Sequence, residues 1–202
     1  MNADTRRKIV LAAMELFAEK GFQSTSVADI LSRTQVHSGS LYHFFPGKQD
    51  VLAAVLEAYR DGIEEWLLAP AWSGVDDPIA RIFALLGGYR TMLLTSDCTY
   101  GCPIGSLALE LHEPDPRIRE LLAANFANWT GAIERCLDEA GARLPAGLDR
   151  RRLAEFILTV MEGAVMQART YRDIGYFDRN IAMLEDQLKL LSLAAREERV
   201  AD

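Results

Sequence analysis

Apolar residues recur every three or four positions along most of this chain and nowhere alternate with polar ones over a strand's length, a pattern that predicts an all-helical protein. Thr5 to Lys20 carries Ile9, Ala12, Ala13, Leu16 and Phe17 at helical spacing, with Gly21 as the stop. In "STSVADILSRT", Ser26 is the expected N-cap and Asp29, three residues on, completes a capping-box variant for a short helix ending near Thr34. Four residues, Thr34 to His37, then lead into "SGSLYHFFPGKQDVL". There Ser38, Ser40 and His43 take one side of a turn or two of helix and Leu41, Phe44 and Phe45 the other. That connector length is the one found in a helix-turn-helix, whose second helix would be this short segment with its wet face.

Pro46 and Gly47 end the segment and reset the chain for a long helix from Lys48 to about Leu68, with Val51, Leu52, Val55, Leu56 and Tyr59 on one face. Pro70 to Pro78 is the next break. Helical patterns follow at 79–95, 104–111, 116–140, 149–172 and 177–195, separated by the turn-rich stretches "SDCTYGCP", "HEPDP" and "GARLPAG". The division expected from these signals is residues 1–47 as a helix-turn-helix domain and 48–202 as a larger helical domain, with helix 48–68 linking them.

Composition adds limits. At 202 residues, half of them hydrophobic, the chain can bury a sizeable core. No run approaches the roughly 18 apolar residues of a membrane span, and "MNADTRRKIVLAAMELF" lacks a signal peptide's pattern, so a cytoplasmic location without a membrane partner is expected. Cys98, Cys102 and Cys136 are too few and odd in number for a disulfide framework. The net charge of −7 argues at first against nucleic acid. Its distribution changes that: residues 1–50 hold six Lys/Arg against five Asp/Glu, so the acid excess lies wholly in the remainder. A near-neutral head on an acidic body holds DNA at one end and repels it elsewhere.

The run Gly39, Ser40, Leu41, Tyr42, Phe45, Lys48 and Val51-Leu52, preceded by Thr25, resembles the G-T-L-Y-x-x-F-x-x-K-x-x-L pattern in the DNA-binding head of TetR-family transcriptional repressors. The resemblance covers about the first 60 residues. It implies that the helix bearing His37, Ser38, Ser40, Tyr42 and His43 enters the DNA major groove, that Gly39 lets its backbone approach closely, and that Thr25 or Ser26, Tyr42 and Lys48 hold phosphates. Two positions depart from the pattern. Gln35 stands where the family often has glycine, so a left-handed backbone there costs about 1 kcal/mol. His37 stands where serine is common and is a poor N-cap, so capping is expected to shift to Ser38. "GCPIGSLALEL" (101–111) is also similar to a regulatory-domain segment of a subgroup that senses electrophiles through a cysteine.

In the acidic body, Trp66, Tyr89, Met92, Cys98, Cys102, Phe126, Trp129 and Met161 are the candidates for an apolar pocket that receives a small apolar or aromatic inducer; core packing is the plain alternative for each. Pro103 suits the first position of a helix, which makes Cys102 its N-cap, either a reactive sensing thiol or a small packing residue. Cys98-x3-Cys102 with His112, and His37 with His43, fall short of metal-site spacing, so neither metal nor cofactor is expected. Ile181, Leu184, Leu188 and Leu191 form a narrow seam which, with Leu153, Ile157, Val160, Ala164 and Ala168 on the preceding helix, builds either an intermolecular four-helix bundle or an internal pair. The resulting expectation is a ligand-regulated homodimeric repressor on a palindromic operator. The rival is a small helical enzyme or a sequestering protein, disfavoured because no nucleophile–base pair is evident.

Overall fold

A computed structural model describes residues 3–201. Among these residues there are helices and turns and no strand. The helices are α1 (Ala3–Lys20), α2 (Val27–Thr34), α3 (Ser38–Phe44), α4 (Lys48–Ile63), α5 (Ala69–Trp72), α6 (Pro78–Thr95), α7 (Pro103–Glu110), α8 (Pro116–Glu139), α9 (Arg150–Tyr171) and α10 (Gly175–Ala201). The long helix expected over 48–68 is α-helical to Ile63 and continues as a π-helical stretch over Glu64–Leu68, a wider turn that lodges an extra residue in the helix. The short α5, inside the expected break, was hidden by Pro70, which sits harmlessly in its first turn.

The chain divides into two compact units: residues 1–62 with 103–126, and residues 63–102 with 127–202. In the first, Ile9, Ala13, Ile30, Leu41, Phe45, Val51, Leu52 and Leu56 form a continuous buried core. α7 and the start of α8 belong to this unit, so its extent is wider than the motif at 1–47. Asn125 of α8 is buried with its amide donating to Leu56 O (3.0 Å) and Leu121 O (2.8 Å), and Arg117 pairs with Glu57 at 3.0 Å. These bonds tie α8 to α4.

In the second unit α10 lies along α9, and both meet α6. Arg90 forms a two-bonded pair with Asp178 (2.8 and 3.0 Å), fastening α6 to the start of α10. Ile157, Ala164 and Ala168 of α9, and Leu184 and Leu188 of α10, are buried within the single chain, the two leucines at 2 % exposure. The seam therefore serves the internal α9–α10 pair at these five positions, while Leu153, Val160, Ile181 and Leu191 are half-buried. The 3.6-residue period reports that a helix has an apolar face, and it cannot say whose helix covers it. The exposed large apolar side chains of the pair are others, among them Phe156 and Met166 on α9, and Met183, Leu190, Leu193 and Val200 on α10.

Candidate nucleic-acid interface and effector site

The α2–turn–α3 geometry follows from local chemistry. Ser26 caps α2 with a reciprocal capping box: its Oγ accepts from Asp29 N–H, and Asp29 Oδ2 accepts from Ser26 N–H at 2.7 Å. Lys20, at 2.8 Å, and Ser26 hold the Asp29 carboxyl well below the usual carboxylate range. Gln35 closes α2 in the left-handed region (φ 56°, ψ 26°) with its N–H donating to Leu31 O at 2.9 Å, so the strained turn is built without glycine. His37 occupies the N-cap position of α3 with no side-chain cap bond. The expected shift of capping to Ser38 does not occur, since Ser38 is already the first helical residue. Leu41 and Phe45 are buried beneath α3 and anchor it to the core.

The opposite face is open. His37, Ser38, Gly39 and His43 are exposed, Ser40 is half-exposed, and the Tyr42 ring is 54 % exposed. A Cβ added at Gly39 meets nothing within 4 Å, so nothing inside the protein requires glycine there. The structure brings six of the sequence-derived DNA candidates onto one exposed helix.

Three others have different surroundings. Thr25 is buried, its hydroxyl donating to Gly21 O at 2.7 Å and its N–H to Phe22 O at 3.2 Å. Ser26 is exposed, but its Oγ and N–H are both engaged with Asp29. Lys48 reaches back from the start of α4 to donate to the carbonyls of Phe22 (2.9 Å), Gln23 (3.4 Å) and Thr25 (2.9 Å), with its ammonium 4.3 Å from the Phe22 ring centroid. Its charge is used to hold the α1–α2 turn. Arg6, Lys8, Lys20 and Arg33 are likewise in ion pairs. Among the described residues of the head, Arg7 is the cation with neither an ion pair nor a bond to a carbonyl. Sequence cannot reveal this, because pairing depends on which carboxylates the fold brings near.

The α1–α2 turn has a second holder that sequence reasoning missed. Glu110, the last residue of α7, accepts from Phe22 N–H at 2.9 Å and from Gln23 N–H at 2.6 Å. Gly21 is required at this place twice over: its φ is +82°, and a Cβ on it would stand 3.0 Å from both Glu110 oxygens. α7 starts at Pro103, bonded directly to Cys102, so one eight-residue helix about 12 Å long runs from the cysteine to the carboxylate that grips the head.

In the second unit, Tyr89, Cys98, Cys102, Trp129 and Met161 are buried. The phenol of Tyr89 lies beside Cys102, Glu162 and Trp129, and burial first, then the cysteine and the carboxylate, push it well above its usual range. Burial also raises the Glu162 carboxyl, against a hydrogen bond with Cys102 that pulls it down. The Trp129 indole lies in hydrogen-bonding reach of the Tyr89 phenol and pulls it the other way, while Glu162 Oε1 is out of solvent with no hydrogen-bond partner. Glu162 was legible in principle: it is a lone carboxylate in the apolar run "VMEGAVM". Trp66, expected in this group, is 44 % exposed in the π-helical stretch. Met92 is half-buried, and Phe126 is a half-buried residue of the first unit.

The loop before Cys102 is strained and clamped. Asp97 and Cys98 are consecutive left-handed residues (φ 48° and 52°), a conformation that costs side-chain-bearing residues about 1–2 kcal/mol each. Arg172 donates to Asp97 O (3.1 Å) and Thr99 Oγ1 (2.7 Å), and Arg169 Nε to Thr99 O (3.2 Å). Gly101 is packed so closely that a Cβ would stand 2.7 Å from Arg169 Cδ.

A helix-turn-helix with an open polar recognition face, in a chain that also holds a second helical unit with a buried polar cluster, is the class of a DNA-binding regulator. Comparison with known proteins agrees with that class. Residues 9–55 match the family described as bacterial regulatory proteins, tetR family, and residues 78–182 match the LmrA/YxaF-like transcriptional regulator C-terminal domain. The chain belongs to the TetR family of DNA-binding transcriptional regulators. It is 30 % identical over 198 residues to an HTH-type transcriptional regulator of Mycobacterium tuberculosis, covering 96 % of this chain and 97 % of that one. It is 27 % identical to the HTH-type transcriptional regulator LmrA of Bacillus subtilis, covering 84 % and 89 %. Among solved structures, the regulatory protein TetR from Rhodobacter sphaeroides superposes with a TM-score of 0.79 at 27 % identity, over 88 % of this chain and 95 % of that one. NemR of E. coli in its reduced form shares the fold, with a TM-score of 0.78 at 21 % identity over 93 % and 97 %. No helix among the described residues is long and apolar enough to cross a membrane.

Proposed function

We propose that the protein is a cytoplasmic repressor that binds a two-fold symmetric operator as a homodimer and is released by a small-molecule inducer. The observation that carries this reading is the open face of α3: His37, Ser38, Gly39, Ser40, Tyr42 and His43 point away from a core anchored by Leu41 and Phe45. In this reading Ser38, Gly39, Ser40 and His43 meet base edges, and Tyr42 and Arg7 meet phosphates. Lys48 and Thr25 support the interface by shaping the turn beneath it. A helix of seven residues reads too few base pairs for useful specificity, so a second copy must supply the other half-site.

The dimer forms through α9 and α10, on the exposed side defined by Phe156, Met166, Met183, Leu190 and Leu193, with the half-buried Leu153, Val160, Ile181 and Leu191 at its margins. The inducer is an apolar or aromatic molecule, or one that reacts with a thiol, and it acts at the Tyr89, Cys98, Cys102, Trp129 and Met161 group. What supports this is the strained loop at Asp97–Cys98 and the direct bond from Cys102 into α7, whose far end holds the Phe22 and Gln23 amides. A change at Cys102 thus has a short covalent route to the head. Selection of bound duplexes from random DNA tests the reading. Enrichment of one palindromic sequence is expected, and failure to enrich any sequence overturns it.

A further inference from the structure

α6 and α10 run antiparallel within the second unit. Arg90 near the end of α6 pairs with Asp178 near the start of α10 at 2.8 Å. At the other end Asp77, which caps α6, pairs with Arg143, in the turn whose Ala142 carbonyl accepts from Arg199. Between the two helices lies an open groove of about 660 Å³, the size of a site for a small organic molecule. Its apolar lining is Ile79, Ala80 and Phe83 of α6 with Leu188 and Leu193 of α10. The α10 side extends from Glu185 to Arg199, about 21 Å along the helix axis. Met183 and Leu190 are not in this lining, so the groove faces away from the exposed apolar side of α10, with Leu193 on the edge between them.

The charge of the groove is opposite to that of the chain. Four cations, Arg143, Lys189, Arg196 and Arg199, line it against two carboxylates, Asp77 and Glu185, in a protein of net charge −7. Asp77 takes Arg143 and Glu185 takes Lys189 (3.1 Å), which leaves Arg196 with no ion pair or hydrogen bond among the described residues. These features select the occupant. A cation is repelled, an uncharged apolar molecule leaves Arg196 unanswered, and a small inorganic anion leaves the apolar walls wet. A peptide brings amides that need partners, whereas the backbone groups of both walls are bonded within their helices and the Ser192 hydroxyl donates to Leu188 O at 3.0 Å. A hydrocarbon body that ends in an anion suits both the walls and the free guanidinium. We propose that this groove binds an amphiphilic carboxylate, with its hydrocarbon tail against Phe83, Leu188 and Leu193 and its head on Arg196. The site shares no residue with the Tyr89–Cys102 group and stands independently of the effector site proposed above.

Octanoate, 1-octanol and octyltrimethylammonium share a tail and differ in charge. Each is titrated into the full-length protein by calorimetry, and backbone amide NMR signals locate it. Octanoate is expected to bind about tenfold more tightly than octanol, the gain from one hydrogen-bonded charge at an open site, and the ammonium more weakly than either. The signals of residues 79–83 and 188–196 move. Arg196→Gln, at an exposed position, removes the advantage of octanoate and leaves octanol binding unchanged, whereas Phe83→Ala weakens both; each variant is first checked for native helicity and cooperative melting. Equal binding of octanoate and octanol, an advantage that persists in Arg196→Gln, or movement centred on other residues overturns the proposal. So does the absence of octanoate binding up to the concentration at which it forms micelles, or a folded Phe83→Ala that binds both molecules as the wild type does. If the same signals move when the protein alone is concentrated and octanoate does not reverse that change, a second copy of the chain fills the groove and the assignment to an amphiphile falls.

Discussion

Replacing Glu110 by alanine removes the carboxylate that grips the Phe22 and Gln23 amides, at 2.9 and 2.6 Å. Hydrogen bonds to a charged group contribute about 1.5–3 kcal/mol each when sheltered. The Phe22 bond is part-buried and the Gln23 bond is exposed, which places the pair together near 2–3 kcal/mol, the exposed one at the low end. The Lys48 bonds to three carbonyls and the Thr25 bond to Gly21 O remain, so the turn stays folded but opens more often. At about 1.4 kcal/mol per factor of ten, opening of residues 21–25 increases roughly thirty- to hundredfold. Native-state hydrogen exchange reads this directly: the protection factors of the Phe22 and Gln23 amides fall by that factor while those of α9 and α10 do not change. Operator binding weakens in parallel, because α2 and α3 lose a fixed platform. Unchanged exchange at both amides in folded Glu110→Ala would refute the claim that α7 holds the head.

Other outcomes follow from the same geometry. Leu190→Glu places a charge on the exposed side of α10 and is expected to give folded single chains by sedimentation, whereas Leu188→Glu buries an unpaired charge inside the chain and lowers the melting temperature sharply; a folded single-chain Leu188→Glu would contradict the internal seam. Gly39→Ala stabilises α3 by about 0.5–1 kcal/mol in denaturant melts, since its Cβ meets nothing, yet weakens operator binding in gel shifts because the methyl faces the duplex; full-strength binding would remove Gly39 from the interface. Burial raises the Glu162 carboxyl, so the native state holds that proton more tightly than the unfolded chain and stability falls as pH rises from about 4.5 through the raised value. Melting temperatures of wild type and Glu162→Gln should therefore diverge across that window, the variant gaining as pH rises, and parallel curves would show that the carboxyl is not perturbed.

The helix-turn-helix was legible in the amino-acid order because its determinants are local. A capping serine and its aspartate lie three residues apart, Leu41 and Phe45 are separated by one helical turn, and Pro46 cannot continue a helix. The same holds for most helix bounds in the body, where turn residues and the 3.6-residue period are readable one segment at a time, although α10 runs to Ala201, past the expected end at 195. Gln35 shows the limit of a local rule: the backbone there is left-handed despite the side chain, because the packing of α2 and α3 fixes the turn.

What the order of residues left open depends on pairs far apart in the chain. Lys48 reads as a phosphate contact until the fold sets three carbonyls around it, and Glu110 has no meaning until α7 is laid against a turn 87 residues earlier. Leu188 and Leu190 look alike in sequence, and only the position of α9 decides which is core and which is surface. Burial and hydrogen-bond satisfaction are properties of three-dimensional neighbourhoods, so tertiary structure alone determined which polar atoms were left without partners.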